Sequence, residues 1–139
     1  MIAGCRRIAA ALVVAAAAFA MAPQALAEKV VLQVSDGNPT TWNQALNVVG
    51  NLREAYGPGT EIELVAFGQG INMLKLDAPV ASRLVDAQKV QGARIYACEN
   101  SMARQKLARE DMAPGLIYVP AGIEHIITRQ REGWVNVRP

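Results

Sequence analysis

The sequence has little of what metal and redox chemistry use: among 139 residues there are two cysteines, Cys5 and Cys98, and one histidine, His125. A structural zinc site takes about four thiolate or imidazole ligands, so no metal is expected. No cofactor is expected either. His125 sits beside Glu124, Thr128 and Arg129 and reads as a solvated helix position, which leaves Cys98 without an imidazole base. Aromatic residues make up 5 % of the chain and no run of Lys and Arg occurs, so the stacking platforms and basic stripe of a nucleic-acid binder are missing. Gly68-Gln69-Gly70 lacks the third glycine and the Lys-Ser/Thr of a phosphate loop and reads as a turn. Nothing in the spacing of Asp36 and Glu99 requires a working carboxylate pair. With every hydrolase or dehydrogenase constellation absent, a classical enzyme is not the expectation.

What is abundant is alanine, and it is gathered at one end. Met1 to Arg7 carries Arg6 and Arg7 and no acid, and Ile8 to Met21 is almost wholly apolar. That run is shorter than the roughly 20 apolar residues a bilayer span needs. It ends at Pro23 and the small-residue site Ala25-Leu26-Ala27, so residues 1–27 read as a cleavable export signal with cleavage before Glu28. Ile8-Ala9-Ala10 is not the continuation of a twin-arginine signal, which points to general secretion. Cys5 precedes the apolar run and so is no lipid acceptor. The expected address is the periplasm or the medium, with no membrane attachment after cleavage.

Residues 28–139 then form one domain. Losing Arg6 and Arg7 lowers Lys and Arg from 14 to 12, equal to the 12 Asp and Glu, so the domain is formally neutral. It also loses Cys5. With Cys98 as the one remaining thiol, a C-x-x-C exchange cycle within one chain is excluded.

Along this domain strand-like and helix-like segments alternate. Lys29 to Val34 is β-rich and stops at Ser35-Asp36-Gly37-Asn38-Pro39; Thr40-Thr41 can cap a helix with Trp42, Ala45, Leu46, Val49, Leu52 and Tyr56 at helical spacing, ended by Gly57-Pro58-Gly59. Glu61 to Phe67 is a second strand. A short helical piece over Asn72 to Leu76 leads to Asp77-Ala78-Pro79, which can start a helix carrying Val80, Leu84, Val85 and Ala87. Ala93 to Ala97 is a third strand with Cys98 at its end, and Asn100 or Ser101 can cap a helix through Arg109. Leu116 to Val119, a helix carrying Ile123, Ile126, Ile127 and Gln130, and a last strand at Trp134 to Val137 complete the chain. The pattern predicts an α/β fold, a three-layer α/β/α sandwich with an open, mainly parallel sheet of about five strands. In such sheets the crevice lies beyond the carboxyl ends of the strands, which should gather Asp36, Asn38, Gln69, Cys98, Asn100, Ser101 and Gly122 at one edge.

Cys98 is the leading site residue. A free cysteine is often a small buried hydrophobe. Against that, a helix start beside it favours the thiolate, and an odd cysteine in an exported chain flags a reactive thiol. Glu99 next door pulls the other way, and the net shift stays open.

The segments Val30 to Asp36, Leu64 to Gly70, Ala97-Cys98-Glu99-Asn100-Ser101-Met102, Val119 to Ile123 and Gln130 to Trp134 together resemble the DsrE/DsrF-like sulfur-relay family, with the cysteine motif the most specific part. The resemblance spans roughly Lys29 to Pro139. It implies an open parallel α/β/α sheet, homotrimers or homohexamers, and a cysteine at position 98 that holds sulfur as a persulfide for a thiol or persulfide partner protein. The better-understood branches are cytoplasmic; with its export signal this chain is more similar to the stand-alone branch. Two functions remain in view. One is a periplasmic sulfur carrier with Cys98 as acceptor, Asn100 and Ser101 steadying the thiolate, and Asp36, Asn38, Gln69 and Glu99 shaping or supporting the site. The other is a non-catalytic oligomeric module that binds a small ligand or protein and merely packs Cys98.

Overall fold

Along each long strand, side chains alternate between two faces that are covered very unequally. The computed structural model describes residues 27–139, so residues 1–26 of the expected export signal, Cys5 among them, lie outside the described residues. The strands are β1 (Lys29–Val34), β2 (Glu61–Ala66), β3 (Arg94–Cys98), β4 (Ile117–Val119) and β5 (Val135–Val137). The helices are α1 (Pro39–Tyr56), α2 (Ala81–Lys89), α3 (Glu99–Arg104) and α4 (Gly122–Arg131), with 3-10 segments at Gly68–Leu74 and Arg109–Asp111. Val30, Leu32, Val34, Ile62, Leu64, Ala66, Ile95 and Ala97 point to the main core, built with Trp42, Ala45, Leu46 and Val49 of α1, Leu84 and Ala87 of α2 and Met102 of α3. The intervening Val31, Val65 and Tyr96 point the other way, into a much smaller cluster with Ile126 of α4 and Trp134.

The five strands are all parallel, in the order β4-β3-β2-β1-β5. The chain therefore steps outward from β1 to β4 and then returns across the whole sheet to place β5 beside β1. Crossovers of one hand put α1, α2 and α3 on a common face while the chain moves outward. The return of direction after β4 sends α4 to the opposite face, which it covers as a single helix. This is the three-layer α/β/α arrangement that the alternation of segments predicts.

Local chemistry moves several boundaries. Asn38, not Thr40 or Thr41, caps α1: its Oδ1 accepts the Thr40 N–H at 2.9 Å, and Pro39 takes the first turn, where no N–H is needed. α2 starts at Ala81 without a side-chain cap, and Asp77 instead pairs with Lys75 at 3.3 Å. α3 ends at Arg104 rather than Arg109, since Lys106 has φ of +56° and breaks the helical path. Tyr56, Ile123 and Ile127 sit at helical spacing with core residues and are nonetheless exposed. Among the described residues no helix is long and apolar enough to cross a membrane.

Candidate thiol site

Adjacent strands β3 and β4 are followed by helices on opposite faces, so the gap between their carboxyl ends is a topological switch point, where α/β sheets open a crevice. Cys98 stands there as the last residue of β3 and the N-cap of α3. It is the free cysteine of the described residues and is 4 % exposed. A cavity of about 230 Å³ opens beside it, lined by Phe67 and Gly68 from the end of β2, Asn100, Ser101 and Arg104 from α3, and Ala121, Gly122 and Ile123 from the start of α4. Three βα joints thus meet at one sulfur.

Burial acts to raise the Cys98 thiol pKa. Opposing it are the Ser101 hydroxyl and the backbone N–H groups of Gly122, Ser101 and Asn100, and these hold the thiol below its ordinary value. The Ser101 hydroxyl is itself oriented, because its oxygen accepts the Gly68 N–H at 2.8 Å and leaves its proton for the sulfur. The Asn100 N–H is shared with the Pro120 carbonyl at 3.1 Å. Gly68, at φ of +55°, is further fixed by Gln105, whose Nε2 donates to its carbonyl at 2.8 Å. Gly122 allows the close approach of α4: a Cβ there would lie 3.1 Å from Val65 Cγ1, 3.2 Å from Phe67 Cβ and 3.3 Å from Cys98 Cβ. Arg104 is the one charged residue in the cavity lining, and it has no ion-pair partner among the described residues.

Of the residues singled out from sequence, Cys98, Asn100, Ser101 and Gly122 come together here. Four others do not line the cavity. Glu99 turns away to Arg109, whose Nη2 lies 2.6 Å from Glu99 Oε1, so it is not the acid facing the sulfur. Asp36 organises the turn after β1, accepting the Asn38 N–H at 3.0 Å and, through its carbonyl, the Trp42 indole N–H at 2.8 Å. Asn38 is spent on the α1 cap, and Gln69 accepts from Asn72 Nδ2 through its backbone carbonyl at 3.1 Å and its side-chain oxygen at 3.4 Å.

His125 is not a solvated position. Its Nε2 lies 2.7 Å from Glu63 Oε2, and its ring packs against Tyr96 with centroids 4.2 Å apart. Glu63 is wholly buried and is also gripped by Arg129, Arg94 and Tyr96. Sequence reading missed this cluster; the available signal was a mid-strand Glu63 together with His125 and Arg129 spaced four apart on α4. Among the described residues no group of three His, Cys, Asp or Glu side chains is placed to hold a metal ion. A wider groove of about 400 Å³ at the opposite, amino ends of β2 and β3 offers no thiol, and its one acid, Glu61, is paired with Lys29 and Arg94.

The family model described as DsrE/DsrF-like matches residues 6–139, and the chain belongs to that family. A protein of unknown function from Methanobacterium thermoautotrophicum has the same fold at a TM-score of 0.75, with 28 % identity over 81 % of this chain and 99 % of that one. A conserved protein of unknown function from Bacteroides thetaiotaomicron follows at 0.64, with 16 % identity over 81 % of this chain and 95 % of that one. The ychN protein from E. coli superposes at 0.62, with 11 % identity over 82 % of this chain and 100 % of that one. No curated protein matches the chain.

Proposed function

We propose, from its membership of the DsrE/DsrF-like family, that this chain is a periplasmic sulfur carrier that holds sulfur on Cys98 as a persulfide and passes it to a partner's thiol. The observation that carries the reading is a buried thiol whose pKa is lowered by one hydroxyl and three backbone N–H groups at the edge of a cavity. Those donors stabilise a thiolate, which is the nucleophile sulfur transfer needs. The thiolate attacks the outer sulfur of a donor persulfide, R–S–S⁻; a new S–S bond forms, the donor's S–S bond breaks, and its electron pair leaves on R–S⁻. An acceptor thiolate then attacks the outer sulfur of the Cys98 persulfide and returns Cys98 as thiolate. No oxidant or reductant is consumed. The cavity gives the outer sulfur room, and Arg104 at its wall favours anionic donors and the anionic persulfide.

Export is part of the same proposal: it rests on residues 1–27 and is tested by the mass of the protein recovered outside the cytoplasm, which should begin at Glu28. So is self-association. Ile117, Ile123, Ile127 and Val135 are all at least 40 % exposed, around α4 and the two edge strands, and light scattering of the purified protein reads the oligomer directly.

The carrier reading is tested by incubating the purified protein with polysulfide and measuring intact mass. Added sulfur on the wild type and none on Cys98→Ser is the expected result. No uptake, or equal uptake by Cys98→Ser, refutes it. The near-complete burial of Cys98 favours a second reading, a binding module in which the thiol only packs. In that case alkylating reagents reach Cys98 only after denaturation.

A further inference from the structure

Glu63 is fully buried in the middle of β2, and both its oxygens are saturated by directional contacts. Arg129 makes a two-pronged pair, Nε to Oε2 and Nη2 to Oε1, each at 2.9 Å. His125 Nε2 meets Oε2 at 2.7 Å, the Tyr96 hydroxyl donates to Oε1 at 3.1 Å, and Arg94 Nη2 reaches Oε1 at 2.9 Å. These four are the charged or titratable groups that face it, two from β3 and two from α4. An outer ring secures them in turn. Arg94 also meets Glu61 at 3.0 Å, Arg129 meets Glu132 at 2.7 Å, and the Arg129 guanidinium lies 4.9 Å from the Trp134 ring centre.

None of these groups lines the Cys98 cavity, so their effect on it has to pass through α4. His125 and Arg129 follow Gly122 by three and seven residues and share its helix face, the one turned to the sheet. The apolar grip of α4 on the sheet is thin: Ile126 is its one buried large apolar residue, while Ile123 and Ile127 are exposed. Apolar contact is non-directional and lets a helix settle in several positions. A forked guanidinium–carboxylate pair has one geometry.

We propose that Glu63 is a positioning residue for the thiol site: by anchoring His125 and Arg129 it sets where α4 lies on the sheet, and so holds Gly122, at the head of that helix, against Cys98. The inference rests on the reading of Cys98 as a working thiolate.

The test is an ultraviolet titration of the Cys98 thiolate in the purified full-length protein, taken as the difference from the same variant carrying Cys98→Ser. Glu63→Gln removes the charge but little volume. Losing much of one N–H bond to the thiolate raises its apparent pKa by about one unit. His125→Gln, which leaves the Arg129 fork in place, gives a smaller rise in the same direction. Leu84→Ala, in α2 on the opposite face, serves as a destabilising control and leaves the thiol pKa at the wild-type value. An unchanged pKa in both α4-anchor variants, or an equal rise in Leu84→Ala, overturns the proposal. Should Glu63→Gln not fold, His125→Gln against Leu84→Ala decides it. Failure of the carrier reading is seen separately, as wild-type protein that takes up no sulfur while its thiolate titration still reports the coupling.

Discussion

Replacing Ser101 with alanine deletes the one side-chain donor to the Cys98 sulfur and, with it, the acceptor of the Gly68 N–H. A hydrogen bond to a charged group contributes about 1.5–3 kcal/mol, and one pKa unit corresponds to about 1.4 kcal/mol, so the thiol pKa should rise by about one to two units. The three backbone N–H groups remain and tighten on the sulfur, which favours the lower figure. A rise of one unit cuts the thiolate fraction tenfold at any pH well below the pKa. The more basic thiolate is also more nucleophilic, by a factor of about three per unit, so the net slowing of alkylation there is about threefold. Above the pKa the order inverts and the variant reacts about threefold faster. Two rate–pH curves that cross are therefore the signature, and iodoacetamide kinetics from neutral to alkaline pH would display it. A curve lowered by the same factor at every pH would mean that access, not ionisation, had changed. An unchanged or lowered pKa would refute the assignment of the Ser101 hydroxyl as donor.

Gly122→Ala places a methyl group 3.1–3.3 Å from Val65, Phe67 and Cys98, tighter than comfortable packing; α4 should shift outward, with a stability loss of about 1–3 kcal/mol in urea unfolding and a raised Cys98 pKa in the same titration. Gly70→Ala is harsher, because its Cβ would sit inside contact distance of the Val34 carbonyl, which is backbone and cannot swing away. A loss of more than about 3 kcal/mol, or no soluble folded protein, is expected, and normal unfolding would show that the 3-10 segment relaxes more easily than its packing implies. Burial works to raise the Glu63 pKa, but Arg129 and His125 outweigh it and the carboxyl is held below its ordinary value. A carboxyl depressed in the folded state contributes stability above its unfolded pKa of about 4.3 and loses it as pH falls through the folded value. The urea midpoint should therefore drop steeply below about pH 4, and Glu63→Gln should be both less stable at neutral pH, by about 3 kcal/mol, and less sensitive to acid.

The strands and the place of Cys98 were legible because both follow from short-range pattern. The β-rich run of β1 and the alternating, then continuously apolar run of β2 mark a sheet, and a cysteine between a strand and a helix start can hardly lie elsewhere than at a strand end. Partners from distant segments were not legible. The sequence pattern places Gly122 at the crevice edge, but its contact with Cys98 depends on α4 crossing to the other face, which the strand order decides. Glu63 reads as the polar member of an alternating strand, and His125 is flanked by polar residues. Only the fold brings them 2.7 Å apart in a buried setting. Asp36, Asn38 and Gln69 illustrate the opposite failure. Each sits at a strand end of the right edge, yet each is engaged locally: Asp36 and Asn38 in turn and cap bonds, because Asn and Asp side chains satisfy nearby backbone first, and Gln69 with Asn72.

The strand order also imposes a timetable. β1 through β3, with α1 and α2 between them, can pack in the order in which they are made, since each new strand is laid beside the last. Cys98 is present in that partial sheet, but Gly122 and α4 follow it in the chain, and β5 must travel to the far edge to dock on β1. Until that final closure the sulfur lacks one of its backbone donors, and Glu63 lacks both of its α4 partners. The donor set of the thiol is thus completed only when α4 docks. A chain still emerging, or one trimmed before α4, would carry the same cysteine with only the Ser101 and Asn100 donors of its own helix start.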